Sequence, residues 1–129
     1  MSQNVRSPER AGGYDILSPA CPSRTVLRHV VDRWTPLVVA VLSRGSHRFG
    51  ELRAAIGGIT PKVLTDTLRS MERDGLITRD QPRVDYALTP LGSTLAEPMN
   101  ALRIWAEGHA EEILDNRVRY DGVALDSAR

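Results

Sequence analysis

The sequence predicts a mainly α-helical domain with one small β-hairpin, an α+β arrangement of the winged helix-turn-helix kind. Three observations predict it. Thr-Pro pairs recur at Thr35-Pro36, Thr60-Pro61 and Thr89-Pro90. Each joins a hydroxyl that can cap a helix to a proline suited to the first helical position. A three-residue link, Gly57-Gly58-Ile59, separates two short segments of helical periodicity, the spacing of a helix-turn-helix. Beyond the second segment, Ile77 to Arg79 and the alternating Val84, Tyr86 and Leu88 flank a turn at Asp80 to Pro82, which reads as a hairpin.

Met1 to Ala20 is polar and broken by Pro8, Gly12, Gly13 and Pro19, so residues 1–20 are expected to form a flexible arm. The folded domain is expected over 21–116. Its first helix begins at Ser23, with Val26, Leu27, Val30, Val31 and Trp34 at helical spacing. Thr35 opens a second helix whose uninterrupted apolar run, Leu37 to Leu42, suits burial on all sides. A turn around Gly45 leads to a short third helix carrying Phe49, Leu52 and Ile56 inward and Glu51 and Arg53 outward. Thr60 to Leu76 is the segment around which the rest is organised. Leu64, Leu68 and Met71 share one face, while Lys62, Asp66, Arg69 and Arg73 share the other, and Gly75 supplies the left-handed position that ends a helix. A solvated charged face has these same residues, so DNA contact rests on what surrounds them.

Thr89-Pro90 starts a long helix, expected over about 90–116, in which Leu91, Leu95, Met99, Leu102, Ala106, His109 and Ile113 recur in steps of three and four. Pro98 should bend it. Ile104 and Trp105 widen its apolar face beyond what one small domain covers, which implies a partner helix. The remaining 117–129 is polar and aperiodic and is expected to fray.

At 129 residues, with 41% hydrophobic and 26% charged, the chain fits one globular domain. A net charge of +1 argues nothing about nucleic acid by itself, but the charge is polarised. From Arg44 to Arg83 eight basic residues face five acidic ones, and from Glu97 onward seven acidic residues outnumber four arginines. Lys62 is the only lysine, so nearly all positive charge is guanidinium, which pairs bidentately with phosphate or a guanine edge. Cys21 stands alone, which excludes an intramolecular disulfide framework. With no signal-peptide core and no apolar run of membrane-spanning length, a cytoplasmic protein is expected. The sequence has no G-x-S-x-G, H-E-x-x-H, P-loop or Rossmann glycine pattern, so no catalytic residues and no cofactor are assigned. His29, His47 and His109 fall on different elements without metal-ligand spacing, and no metal is assigned.

The residues resemble the HxlR-type branch of the MarR-like winged helix-turn-helix regulators. The resemblance is carried by Cys21-Pro22, Trp34-Thr35, Arg48-Phe49 with Glu51-Leu52, and Thr60-Pro61-Lys62-Val63-Leu64-Thr65. It continues through Arg69, Asp74-Gly75-Leu76, Arg83-Val84 with Tyr86, Leu88-Thr89, Leu91-Gly92 and Trp105. It implies a homodimeric bacterial regulator, commonly a repressor, that binds a palindromic operator in double-stranded DNA through two recognition helices in successive major grooves. The implied DNA-binding set is Thr60, Lys62, Thr65 and Arg69 on the recognition helix and Arg83 on the wing. Arg73, a turn further on, is a candidate for a phosphate at the groove edge or for pairing near Glu72, and Arg48 before the third helix is a further DNA-binding candidate. The first and last helices would form the dimer through Val26, Leu27, Val30, Met99, Leu102 and Trp105. Only Asp80, Gln81 and Pro82 separate the two expected strands, fewer than is usual in the family, which shortens the expected reach into the minor groove.

Cys21 has two readings. It is either an ordinary small residue or, as the resemblance implies, a thiol through which some members sense oxidants or electrophiles. Trp34 and Trp105 can line an effector pocket or pack at the interface, and packing is the commoner use of such residues. The rival function is a winged-helix module that binds protein without sequence-specific DNA binding. The basic face offered by Lys62, Arg69 and Arg73 favours DNA.

Overall fold

The structure, a computed structural model, describes residues 14–80 and 83–127, with side chains described through 123. Helix α1 (Ser23–Val30) leads into α2 (Thr35–Leu42), the two-residue strand β1 (His47–Arg48) and α3 (Phe49–Ala55). Then come α4 (Pro61–Arg73), strands β2 (Ile77–Asp80) and β3 (Asp85–Leu88), and the long α5 (Pro90–Ser127).

The Thr-Pro signals act in two ways. Thr60 caps α4, its Oγ1 accepting from the Val63 N–H at 3.2 Å. Thr89 does more: its Oγ1 accepts from the Gly92 N–H at 3.0 Å and donates to the Gly75 carbonyl at 2.6 Å, so it caps α5 and ties that helix to the end of α4. Thr35 is not the cap of α2. It is buried as the first helical residue, and Asp32 takes the capping role, its Oδ1 accepting from the Trp34 and Thr35 N–H groups at 3.0 and 2.7 Å. Asp is at least as good a cap as Thr, so the start signal is correct in place and wrong in the residue that accepts.

The sheet has one strand more than expected. β1 pairs antiparallel with β3, His47 opposite Tyr86 and Arg48 opposite Asp85, giving the order β1-β3-β2. Two residues carry no periodicity, which is why the pattern left this segment as a turn. Val84, expected within the second strand, sits instead in the wing turn at φ +55, an unusual conformation for a β-branched residue, with its side chain packed on the core.

The core gathers Val38, Val39 and Leu42 of α2, Leu52 of α3, Leu64, Leu68 and Met71 of α4, and Ile77 and Tyr86 of the sheet. α2 is buried on all but one flank, where Leu37 reaches solvent. At the end of α4, Gly75 takes φ +77 and the Leu76 N–H reaches back to the Met71 carbonyl at 2.9 Å, a Schellman ending that drops Leu76 into the core. Gly92 is required by packing, because a Cβ there would overlap the Leu76 carbonyl.

Two boundaries differ from expectation. α5 does not stop near 116 but runs helical to Ser127, through the segment expected to fray. Of the expected arm, residues 1–13 lie outside the described residues. The rest is held: Arg24 donates from Nε to the Ile16 carbonyl at 2.8 Å and from Nη2 to the Leu17 carbonyl at 2.7 Å, clamping the turn before Cys21 onto α1.

Candidate nucleic-acid interface

α4 presents one apolar and one polar face because its sequence has period 3.6. Leu64, Thr67, Leu68 and Met71 are buried, which fixes the rotation of the helix about its axis and turns Lys62, Asp66, Arg69 and Arg73 to solvent, with Thr65 half-buried beside them. Thr60 is exposed at the N-terminal end, where the partial positive charge of the helix adds to that of Lys62. Thr60, Lys62, Thr65 and Arg69 therefore lie together along the first turns, and Arg73 follows a turn later on the same face.

This face is not uniformly positive. Lys62 Nζ lies 3.1 Å from Asp66 Oδ2, an exposed i,i+4 ion pair at the centre of the row. In the free protein Lys62 is thus held along the helix by a carboxylate that an incoming phosphate would have to displace. Sequence reading placed Asp66 on the right face but gave it no role, although the i,i+4 spacing was there to be read.

The wing has its own electrostatics. Asp80 and Asp85 stand directly opposite across β2 and β3, a like-charge pair where the hairpin enters and leaves its turn. From the other side of β3, Arg48 Nε lies 3.6 Å from Asp85 Oδ1, and the Glu51 carboxylate accepts from the Arg48 backbone N–H at 2.8 Å. Arg48 therefore braces the strand where it leaves the wing turn. Asp85 was missed by sequence reading, and only the β1-β3 register reveals it. Arg83 is exposed in the wing turn, while its neighbours Gln81 and Pro82 lie outside the described residues.

The expected dimer residues divide. Val26, Leu27, Leu102 and Trp105 are about half exposed, with Val31 and Ile104 alongside them. Met99 is not available to a partner, being 6% exposed in the protomer's own core, and Val30 packs against that core. Trp34 rests on the core with the Arg33 guanidinium 4.7 Å above its ring, and Trp105 stacks on His109 at 4.8 Å. Neither tryptophan lines the groove that α1, α4 and α5 form. This groove, of about 550 Å³, lies between α1, the end of α4 and the start of α5, where His29, Arg73 and Leu95 are among its walls. Cys21 is buried, its Sγ 2.6 Å from Ser23 Oγ. Among the described residues no group of three or more His, Cys, Asp or Glu side chains could hold a metal, and no helix is long and apolar enough to cross a membrane.

Comparison with known proteins agrees with this geometry. A family model described as HxlR-like helix-turn-helix matches residues 29–114. The uncharacterized HTH-type transcriptional regulator YtfH of Escherichia coli (strain K12) is 40% identical over 119 residues, covering 88% of this chain and 94% of that protein. Among solved structures, ytfH from Salmonella typhimurium superposes with a TM-score of 0.72 at 37% identity, covering 80% of this chain and 96% of that one. The redox regulator HypR in its reduced form gives a TM-score of 0.65 at 28% identity, covering 73% and 98%.

Proposed function

The chain belongs to the HxlR-like helix-turn-helix family of transcriptional regulators, DNA-binding proteins rather than enzymes, and from that premise we propose that it is a homodimeric repressor of a palindromic operator. The observation that carries the reading is the α4 face: Thr60, Lys62 and Arg69 are aligned and solvent-facing, with Thr65 half-buried among them, because the opposite face is locked into the core. Lys62 and Arg69 would contact base edges or flanking phosphates, Arg73 and Arg83 the backbone at either side, and Arg48 the backbone near the wing. The half-exposed apolar residues of α1 and α5 support a second copy as partner. A cytoplasmic location follows from this role. Binding to DNA from its own promoter region, titrated against salt, tests the reading. Arg69→Ala or Lys62→Ala should weaken operator binding by about 1 to 3 kcal/mol where a base edge is contacted. Binding that ignores both substitutions, or that shows no sequence preference at low salt, would favour a protein-binding winged helix instead.

A second reading concerns control. HypR is a redox regulator, and its likeness to this chain supports redox control here, with Cys21 as the responsive thiol. Cys21 is only 4% exposed, beneath the turn that Arg24 clamps, so an oxidant would reach it only when that turn lifts. Arg24→Ala should therefore speed labelling of Cys21 by a thiol reagent about tenfold, the effect of losing roughly 1.4 kcal/mol of clamp. If oxidised and reduced protein bind the operator equally, Cys21 is structural.

A further inference from the structure

Past Gly108 the helix α5 leaves the body of the protomer. Every described residue from Gly108 to Val123 is exposed except Ile113, which is half-buried, and Val118, Tyr120 and Val123 are 73%, 74% and 63% exposed. This stretch contains Gly108, Asn116, Val118, Gly122 and Val123, none a strong helix former. Most helical stability in proteins comes from packing an apolar face rather than from propensity, so this exposed end calls for a partner.

The spacing identifies that partner. From Met99 in the core, Leu102, Ala106, His109, Ile113, Asn116, Tyr120 and Val123 follow in alternating steps of three and four. That is a heptad seam, continuous with the stripe by which α5 packs on its own protomer. The opposite side is unsuited to the purpose. There Ile104, Leu114 and Val118 are interleaved with Glu107, Glu111 and Asp121.

We propose that Gly108 to Val123 pairs, parallel and in register, with the same segment of a second copy as a short two-stranded coiled coil. The pairing carries the dimer interface beyond residue 114, where the family match ends. It rests on the homodimer reading above and adds to it a register and an orientation. Parallel pairing sets Ile113, Tyr120 and Val123 each against its own counterpart. It also places one amide layer, Asn116 against Asn116, in the seam, where the two side chains can hydrogen-bond to each other. The flanking charges agree: Glu112 precedes the seam on one side and Arg117, five residues on, follows it on the other, the spacing at which opposite charges meet across a parallel pair. Arg119 is already turned to the seam, donating to Asn116 Oδ1 at 2.6 Å.

The test is sedimentation of the full chain across concentration. Tyr120→Glu with Val123→Glu should raise the dimer dissociation constant by at least about tenfold, given what burial of two such side chains contributes. Val118→Glu, an equally exposed apolar site on the outer side, should change it by less than about twofold. Glu112→Arg should weaken the dimer, and adding Arg117→Glu should restore it. In a Cys21→Ser background, Val123→Cys should form a disulfide with its counterpart on mild oxidation. A dimer that tolerates both seam charges, or one that persists without this cross-link, overturns the coiled coil and leaves the homodimer standing. A wild-type chain that sediments as a monomer at all concentrations removes both.

Discussion

The start of α5 and its far end share one stripe and differ in what they touch. At the start, Thr89 bonds to Gly75, Gly92 lets the helix backbone lie against Leu76, and Met99 fills the core between α2 and the sheet. At the far end, Tyr120 and Val123 continue the same periodicity into solvent. The difference shows that a periodic stripe specifies a helix and a face without specifying whose surface covers that face. α4 displays the same contrast across a helix instead of along it. Leu64 and Met71 are satisfied within the protomer, whereas Lys62 and Arg69 are arranged for something outside it.

The sharpest way to break the comparison is to damage the satisfied end. Gly92→Ala puts a methyl group into the Leu76 carbonyl, a backbone atom held in turn by the Thr89 N–H at 3.0 Å, so neither partner can give way easily. We expect a loss of roughly 3 kcal/mol and a fall of about 10 °C in Tm, measured by thermal unfolding. A variant that melts with wild type would show that the α4-α5 junction is looser than this packing implies.

Much of this contrast was legible in the sequence, and the exceptions share a cause. Thr60, Pro61, Gly75 and the Leu64-Leu68-Met71 stripe act locally, through bonds and spacings of a few residues, and so the recognition helix and its ending could be read directly. What escaped depends on distant pairing. β1 exists only because His47 and Arg48 meet Tyr86 and Asp85, and Asp85 takes its role from Arg48 across that register. Val84 adopts a positive φ because its side chain is drawn onto the core while the chain turns, which no alternation pattern predicts. The end of α5 misled for a related reason. Its polar composition reads as a fraying tail, and only with the stripe extended from Met99 do Tyr120 and Val123 fall into phase.

A pair of alanine substitutions sharpens the comparison along α5. Met99→Ala removes a side chain that is 6% exposed and should cost about 2 to 4 kcal/mol in denaturant unfolding, the transfer term plus the cavity. Val118→Ala, 73% exposed on the outer side of the same helix, should stay within about 0.5 kcal/mol. Equal effects would mean that the far end is packed against something inside the protomer.

The smallest effect distinguishes two roles for the carboxylate in the middle of the α4 face. Asp66 lies 3.1 Å from Lys62, and an exposed i,i+4 pair of this kind contributes about 0.3 to 0.5 kcal/mol to helix stability. Asp66→Asn should therefore lower stability by no more than that. On DNA the sign reverses. The carboxylate repels phosphate and occupies the Lys62 ammonium, so its removal should tighten operator binding by about two- to threefold at low salt, with the gain shrinking as salt screens both terms. A titration of wild type and variant against one operator at two ionic strengths measures this. Weaker binding by Asp66→Asn would reverse the assignment: Asp66 would then be aiming Lys62 at its contact, and the free protein would already hold the ammonium where DNA needs it.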